Sequence, residues 1–224
     1  MIIDDKNETF SQPKKILDGL ISEYIALKVC EGEIWDSFLI LQESFTLGGK
    51  LLICGNGGSA ADAEHIVGEL MKSFLLKRPL EEKESTKIKT CFPNEWEYLS
   101  QNLQRALPSI SLVSQTSISS AYINDVKPDM VFAQQVYGYG KEGDVLLGIS
   151  TSGNSQNVVN AVKIAKAFGL KTIGLTGGNG GFLKSICDIT IIAPASGTPK
   201  VQEYHLPIYH ALCAMLESYF FSCC

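Results

Sequence analysis

Lys50-Leu-Leu-Ile-Cys-Gly-Asn-Gly-Gly-Ser-Ala60 is the stretch that decides the fold. A short apolar run bounded by glycines suits a strand buried on both faces that ends in a turn. A helix is expected to follow, from about Ser59 to Phe74. The same unit returns downstream, where Asp144 to Ile149 reads as a strand, Ser150-Thr-Ser-Gly-Asn-Ser155 as its turn, and Asn154–Phe168 as its helix. Ser109–Val113, Lys171–Leu175 and Asp188–Ala193 read as three further strands, and a last helix runs from about Val201 or Pro207 to Phe221. Upstream, residues 14 to 48 carry apolar positions at helical spacing (Ile16, Leu17, Leu20, Ile21, then Trp35, Phe38, Leu39, Leu41, Phe45) and predict two helices, the second stopped by Gly48-Gly49. Strands alternating with helices give an α/β fold: a five-stranded parallel sheet with helices on both faces, doubly wound, with right-handed crossovers and an N-terminal helical extension. If its order is 2-1-3-4-5, strands 1 and 3 flank the switch point and their two turns open on one crevice.

Residues 77 to 107 break this rhythm. Lys77-Arg-Pro-Leu-Glu-Glu-Lys-Glu-Ser-Thr-Lys87 is charged and has no apolar period, and Glu95 to Ala106 predicts a short helix with Trp96, Leu99 and Leu103 on one face. This segment reads as an insertion within a single domain spanning residues 1–224. A net charge of −5 argues against a nucleic-acid partner. No apolar stretch reaches the roughly 18 residues of a membrane helix, and Met1–Phe10 does not read as a signal peptide. The seven cysteines form no CxxC pair and read as reduced thiols of a cytoplasmic protein, with Cys223-Cys224 able to oxidise in vitro.

Both glycine- and serine-rich turns present free backbone N–H groups at a helix N-terminus, where an anion is favoured. Neither holds the lysine of a nucleotide-binding P-loop, and Gly55-Asn-Gly-Gly-Ser lacks dinucleotide spacing. A hydroxyl-rich cradle of this kind suits one phosphate monoester; alternatively these are ordinary strand–helix turns with glycine supplying dihedrals and serine a cap. The three histidines fall in two segments. His65 and Glu69 are four apart on one helix face, and Gln202, His205 and His210 lie near the start of the last helix. An imidazole and a carboxylate at that spacing can share a metal or act as an acid–base pair, or form a surface pair.

Taken together, GNGGSAADAEHIVGEL (55–70), GDVLLGISTSGNSQNVVNA (143–161), KTIGLTG (171–177) and VQEYHLPIYH (201–210) resemble the phosphoheptose isomerases, a branch of the sugar isomerase (SIS) domain proteins. The resemblance covers roughly residues 35 to 222 outside the insertion. It implies isomerisation of sedoheptulose 7-phosphate to D-glycero-D-manno-heptose 7-phosphate through an enediol. It also implies a phosphate held by Ser150, Thr151, Ser152 and Ser155, and a sugar lined by Asn56, Gly57, Gly58, Ser59, Asn124, Asp125 and Gln202. Zinc would be bound by His65, Glu69, Gln202 and His210, with Glu69 as base and His210 as acid, in a homotetramer that shares its sites between subunits. The product would serve a surface polysaccharide or glycoprotein. Two other readings are an isomerase of a different sugar phosphate, and a non-catalytic adaptor or sensor of the kind associated with a replication initiator; the presence of all four metal-site residues argues against the latter. The chain departs from the family's pattern in its longer insertion, in Val126-Lys-Pro-Asp129, in Pro199 where an Asp is usual, and near Ser73 where an Arg is usual.

Overall fold

A computed structural model describes residues 10–222 of the chain, so the stretch before Phe10 and the pair Cys223-Cys224 lie outside the described residues. Helix α1 (Ser11–Glu23), a 3₁₀ segment (Ile25–Cys30) and α2 (Glu31–Thr46) form the N-terminal extension. The alternating unit follows as β1 (Leu51–Cys54), α3 (Gly58–Met71), α4 (Glu82–Cys91), α5 (Trp96–Asn102), β2 (Ser109–Ser111), α6 (Thr116–Asp125), α7 (Val131–Tyr139), β3 (Val145–Ile149), α8 (Gln156–Ala167), β4 (Lys171–Gly177), α9 (Leu183–Ile186), β5 (Ile189–Ala193) and α10 (Thr198–Phe221).

The five strands pair in parallel in the order β2-β1-β3-β4-β5, the expected doubly wound arrangement. Alternate side chains of each strand enter different cores. Leu51 and Ile53 join Val145, Leu147 and Ile149 in a core built with α1, α2, α3 and α10. Leu52, Cys54 and Leu146 join the opposite core, built with α7, α8 and α9. Both faces are covered, which is why the strands read as unbroken apolar runs.

Four boundaries differ from the sequence reading. Helix α3 stops at Met71, because the chain from Phe74 to Leu76 turns its N–H groups onto the Glu217 carboxylate. The last helix begins at Thr198 and passes unbroken through Pro207, so Gln202 and His210 share one helix. The charged start of the insertion folds as α4, held by a capping box between Glu81 and Glu84. Its partner α5 ends at Asn102, short of Ala106, and neither helix has a buried residue in the single chain. Helices α6 and α7, for which residues 114–139 gave no expectation, complete the second face. Arg78, read as part of a charged tract with no apolar period, is fully buried.

Candidate functional site

The loop after β3 is shaped by its own hydroxyls. The Ser150 and Ser155 hydroxyls lie 2.9 Å apart, the Asn154 N–H donates to the Ser152 hydroxyl at 3.2 Å, and the Thr151 hydroxyl stands 3.4 Å from that of Thr198 on α10. Gly153 is required here: its φ is +67°, and a Cβ would sit 2.0 Å from the Gly180 carbonyl oxygen. Ser155 caps α8 without a side-chain bond to the helix; the Val158 N–H donates to Asn157 Oδ1 at 3.0 Å, and the N–H groups of Gln156 and Asn157 remain open toward the loop. Thr151, Ser152 and Asn154 face Asn179, Ser196 and Thr198 across a cleft of about 360 Å³.

The first loop meets the second through a reciprocal amide pair. Asn56 and Asn157 each donate to the other at 2.9 Å, which ties the loop after β1 to the first turn of α8. The convergence expected of strands 1 and 3 is therefore met by named contacts. Gly55, Asn56 and Gly57 line a neighbouring cleft of about 340 Å³ with Ile123 of α6; Asn124 and Asp125 follow on that helix, both exposed, with the Asn124 amide donating to Asp125 at 2.8 Å. Ser59 is buried at the start of α3. Gln202 packs its amide directly on Gly58, where a Cβ would fall 2.2 Å from its nitrogen.

The histidines gather elsewhere along the same two helices. His65 Nε2 lies 3.3 Å from Glu69 Oε1 and 3.5 Å from His210 Nε2. The other His65 nitrogen, Nδ1, is 3.0 Å from the Tyr209 hydroxyl, which donates to Asp62 at 3.4 Å. Because Tyr209 gives its proton to Asp62, His65 Nδ1–H donates to Tyr209, and Nε2 faces Glu69 and His210. Burial and the neighbouring His65 lower the pKa of His210, and burial raises that of Asp62. Glu69 Oε2 is buried without a hydrogen bond, with the Lys72 ammonium 3.7 Å away.

These donors suit a divalent ion in pairs. Separations of 3.3 and 3.5 Å match the edge of a tetrahedron of zinc ligands, about 3.3 Å for bonds near 2 Å. They form a run from Glu69 through His65 to His210, and among the described residues no three His, Cys, Asp or Glu side chains enclose one point. Gln202 is not part of this group: eight residues before His210 on a continuous helix, it stands about 12 Å away in rise. His205, the third histidine, is fully buried with Nε2 3.1 Å from the Thr176 carbonyl, to which it donates.

In one chain the two halves lie at different ends of α3. The phosphate-type loops open at the carboxyl edge of the sheet. Leu70, next to Glu69, accepts from Leu107 N–H, and Pro108 accepts from Leu51, the first residue of β1, so Glu69 lies at the amino edge. His65 and Glu69 are seven and eleven residues past Gly58, about 10 and 16 Å in rise.

Compared with known proteins, residues 99–177 match the SIS domain family. A phosphoheptose isomerase from Trichlorobacter lovleyi is 42% identical over 177 residues, covering 79% of this chain and 77% of its own. Another from Nitratiruptor is 41% identical over 187 residues, covering 84% and 86%. The chain belongs to the phosphoheptose isomerase family. Among solved structures, the phosphoheptose isomerase of Neisseria gonorrhoeae aligns with a TM-score of 0.70 at 29% identity, over 97% of this chain and 100% of that one. The Francisella tularensis phosphoheptose isomerase aligns with a TM-score of 0.71 at 28% identity, over 96% and 98%.

The sequence reading missed Asn157, Thr198, Tyr209 and Asp62. Three of these carried a faint local signal: Asn157 lies two residues past Ser155, Tyr209 adjoins His210, and Asp62 is one helical turn before His65. The partnership of Arg78 with Glu217 carried none.

Proposed function

We propose that this phosphoheptose isomerase family member converts sedoheptulose 7-phosphate to D-glycero-D-manno-heptose 7-phosphate through an enediol. The observation that carries the reading is His65 in contact with both Glu69 and His210, which brings a carboxylate and two imidazoles from two helices together. Ser150, Thr151, Ser152 and Ser155, with the first-turn N–H groups of α8, hold the phosphate. Asn56, Gly57, Gly58, Ser59 and Gln202 line the sugar, with Asn124 and Asp125 at its margin.

Glu69 takes the carbon-bound proton and returns it to the neighbouring carbon; its unbonded Oε2 is an acceptor ready for that proton. His210, kept neutral at pH 7 by burial and by His65, donates an N–H to the sugar oxygen and takes a proton back. Zinc would supply a Lewis acid for the developing negative charge on oxygen; His65 with Glu69, or His65 with His210, is spaced to hold it as a pair, and the full set of His65, Glu69, His210 and Gln202 would require the side chains to close on one point and Gln202 to leave Gly58.

The phosphate cradle and the Glu69–His65–His210 group stand at opposite sheet edges of one chain, which supports a site completed by a second copy in a homotetramer. No helix among the described residues is long and apolar enough to cross a membrane. Burial pushes Cys30 up to about 11 and Cys187 up to about 12, so these thiols stay protonated.

The test is turnover of sedoheptulose 7-phosphate by pure protein, before and after chelator treatment and zinc return, beside a panel of pentose and hexose phosphates. The heptose should be the best substrate, and the chelator should suppress turnover reversibly. Failure to form the aldose with metal supplied would overturn the reading.

A further inference from the structure

The chain that follows α3 is folded around a buried ion pair. Arg78, with no exposed side-chain surface, donates from Nε to Glu217 Oε1 at 2.8 Å. Its other two nitrogens turn back to the end of α3, Nη1 to the Leu70 carbonyl at 2.7 Å and Nη2 to the Glu69 carbonyl at 3.0 Å. Glu217 completes the knot by accepting the N–H groups of Phe74, Leu75 and Leu76 at 2.8, 2.7 and 3.0 Å. The guanidinium lies 4.7 Å from the Phe221 ring centroid. Each guanidinium nitrogen and each carboxylate oxygen of the pair therefore has a fixed partner, which is the condition under which a buried ion pair specifies geometry.

Two of those partners reach the proton-transfer group. The Glu69 carbonyl is bound directly. Phe74, whose N–H is held by Glu217, places its ring 5.5 Å from that of His210. Glu217 is also seven residues, two turns, after His210 on α10. One pair thus fixes the last turn of the helix that bears Glu69, the wall beside His210, and the register between the two helices.

We propose that Arg78 and Glu217 are positioning residues for the isomerisation, a latch that holds Glu69 and His210 at their working separation. The inference rests on the functional reading above. The pair touches none of the phosphate-loop residues, so loosening it acts on the chemical step rather than on substrate capture.

The variants to make are Arg78→Lys, which keeps the charge but cannot reach both carbonyls and Glu217 together, and Glu217→Gln, which keeps the shape but weakens the acceptor for three N–H groups. Each is assayed as folded oligomer, normalised by circular dichroism and sedimentation. The expected result is a fall in kcat of tenfold or more with KM within threefold of the parent. A folded Arg78→Lys with kcat within twofold of the parent overturns the proposal, as does a rise in KM equal to the fall in kcat. Failure of both variants to fold also overturns it, since the pair would then be a folding element. If the parent itself does not turn over sedoheptulose 7-phosphate, the functional reading falls separately, and the latch is read from the ring ¹⁵N resonances of His65 and His210. The latch predicts that both variants shift them; unmoved resonances refute it.

Discussion

Glu69 combines a buried, unbonded carboxylate oxygen with a fixed neighbour at His65, and this makes it the residue with the largest expected effect on the reaction. Glu69→Gln should lower kcat by about 10²- to 10⁴-fold, the usual worth of a general base, with KM little changed. In deuterium oxide the same variant should stop solvent deuterium entering the recovered sugar phosphate; continued exchange would remove Glu69 from the proton-transfer role. Ser155→Ala should act differently, raising KM by roughly tenfold for the loss of one bond to a charged group while sparing kcat. His205 sets a pH limit on stability. Burial drops its pKa to about 4 from 6.5, so between those values the unfolded chain holds a proton that the folded chain refuses. Stability must then fall as pH is lowered through that window, by roughly 3 kcal/mol in all, and level off below it. Urea melts at pH 7 and pH 4.5 should show the loss, and His205→Gln should remove most of it; an equal loss in the variant would assign the effect to other groups.

At the scale of elements, the loop of residues 150–155 is built by close backbone approach to residues 177–181. Gly153→Ala combines a positive φ with a Cβ placed against the Gly180 carbonyl, so the variant should lose about 1–3 kcal/mol of stability and bind phosphate weakly; a fully stable, fully active variant would show that the loop can shift. The parallel strands and both glycine turns were legible in the sequence, because apolar run length and turn chemistry are local signals; the strand order was an assumption that the structure bears out. The spacing of His65 with Glu69 was legible too. The course of α10 was not: Pro207 suggested a helix start, yet the ring fits an interior turn, and burial of Ile208, Tyr209, Leu212 and Met215 holds the helix through it. Nor could the sequence show that Arg78 is buried inside a charged tract. Its partner lies 139 residues away, and nothing in the local pattern of residues 77–87 distinguishes it from its solvated neighbours. The insertion beyond it is an excursion whose ends meet, since Arg105 N–H donates to the Arg78 carbonyl at 2.8 Å.

At the scale of the whole molecule, α3 and α10 run side by side from the carboxyl edge of the sheet to its amino edge, with Gln202 on Gly58 at one end and Glu217 on Arg78 at the other. The phosphate cradle belongs to the first edge and Glu69 to the second. On the proposed reading a single chain presents two half-sites, and the full site forms where the half-sites of different copies face each other. The most direct measurement is complementation between a chain carrying Ser150→Ala and Ser155→Ala and a chain carrying Glu69→Gln. At a substrate concentration far below the raised KM of the first, each alone should turn over little sedoheptulose 7-phosphate. Unfolded and refolded together, they should form mixed oligomers that regain a substantial fraction of parental turnover, because some sites then receive an intact cradle from one chain and an intact Glu69 from the other. Mixed oligomers that assemble and remain as inactive as their parents would contradict the shared site.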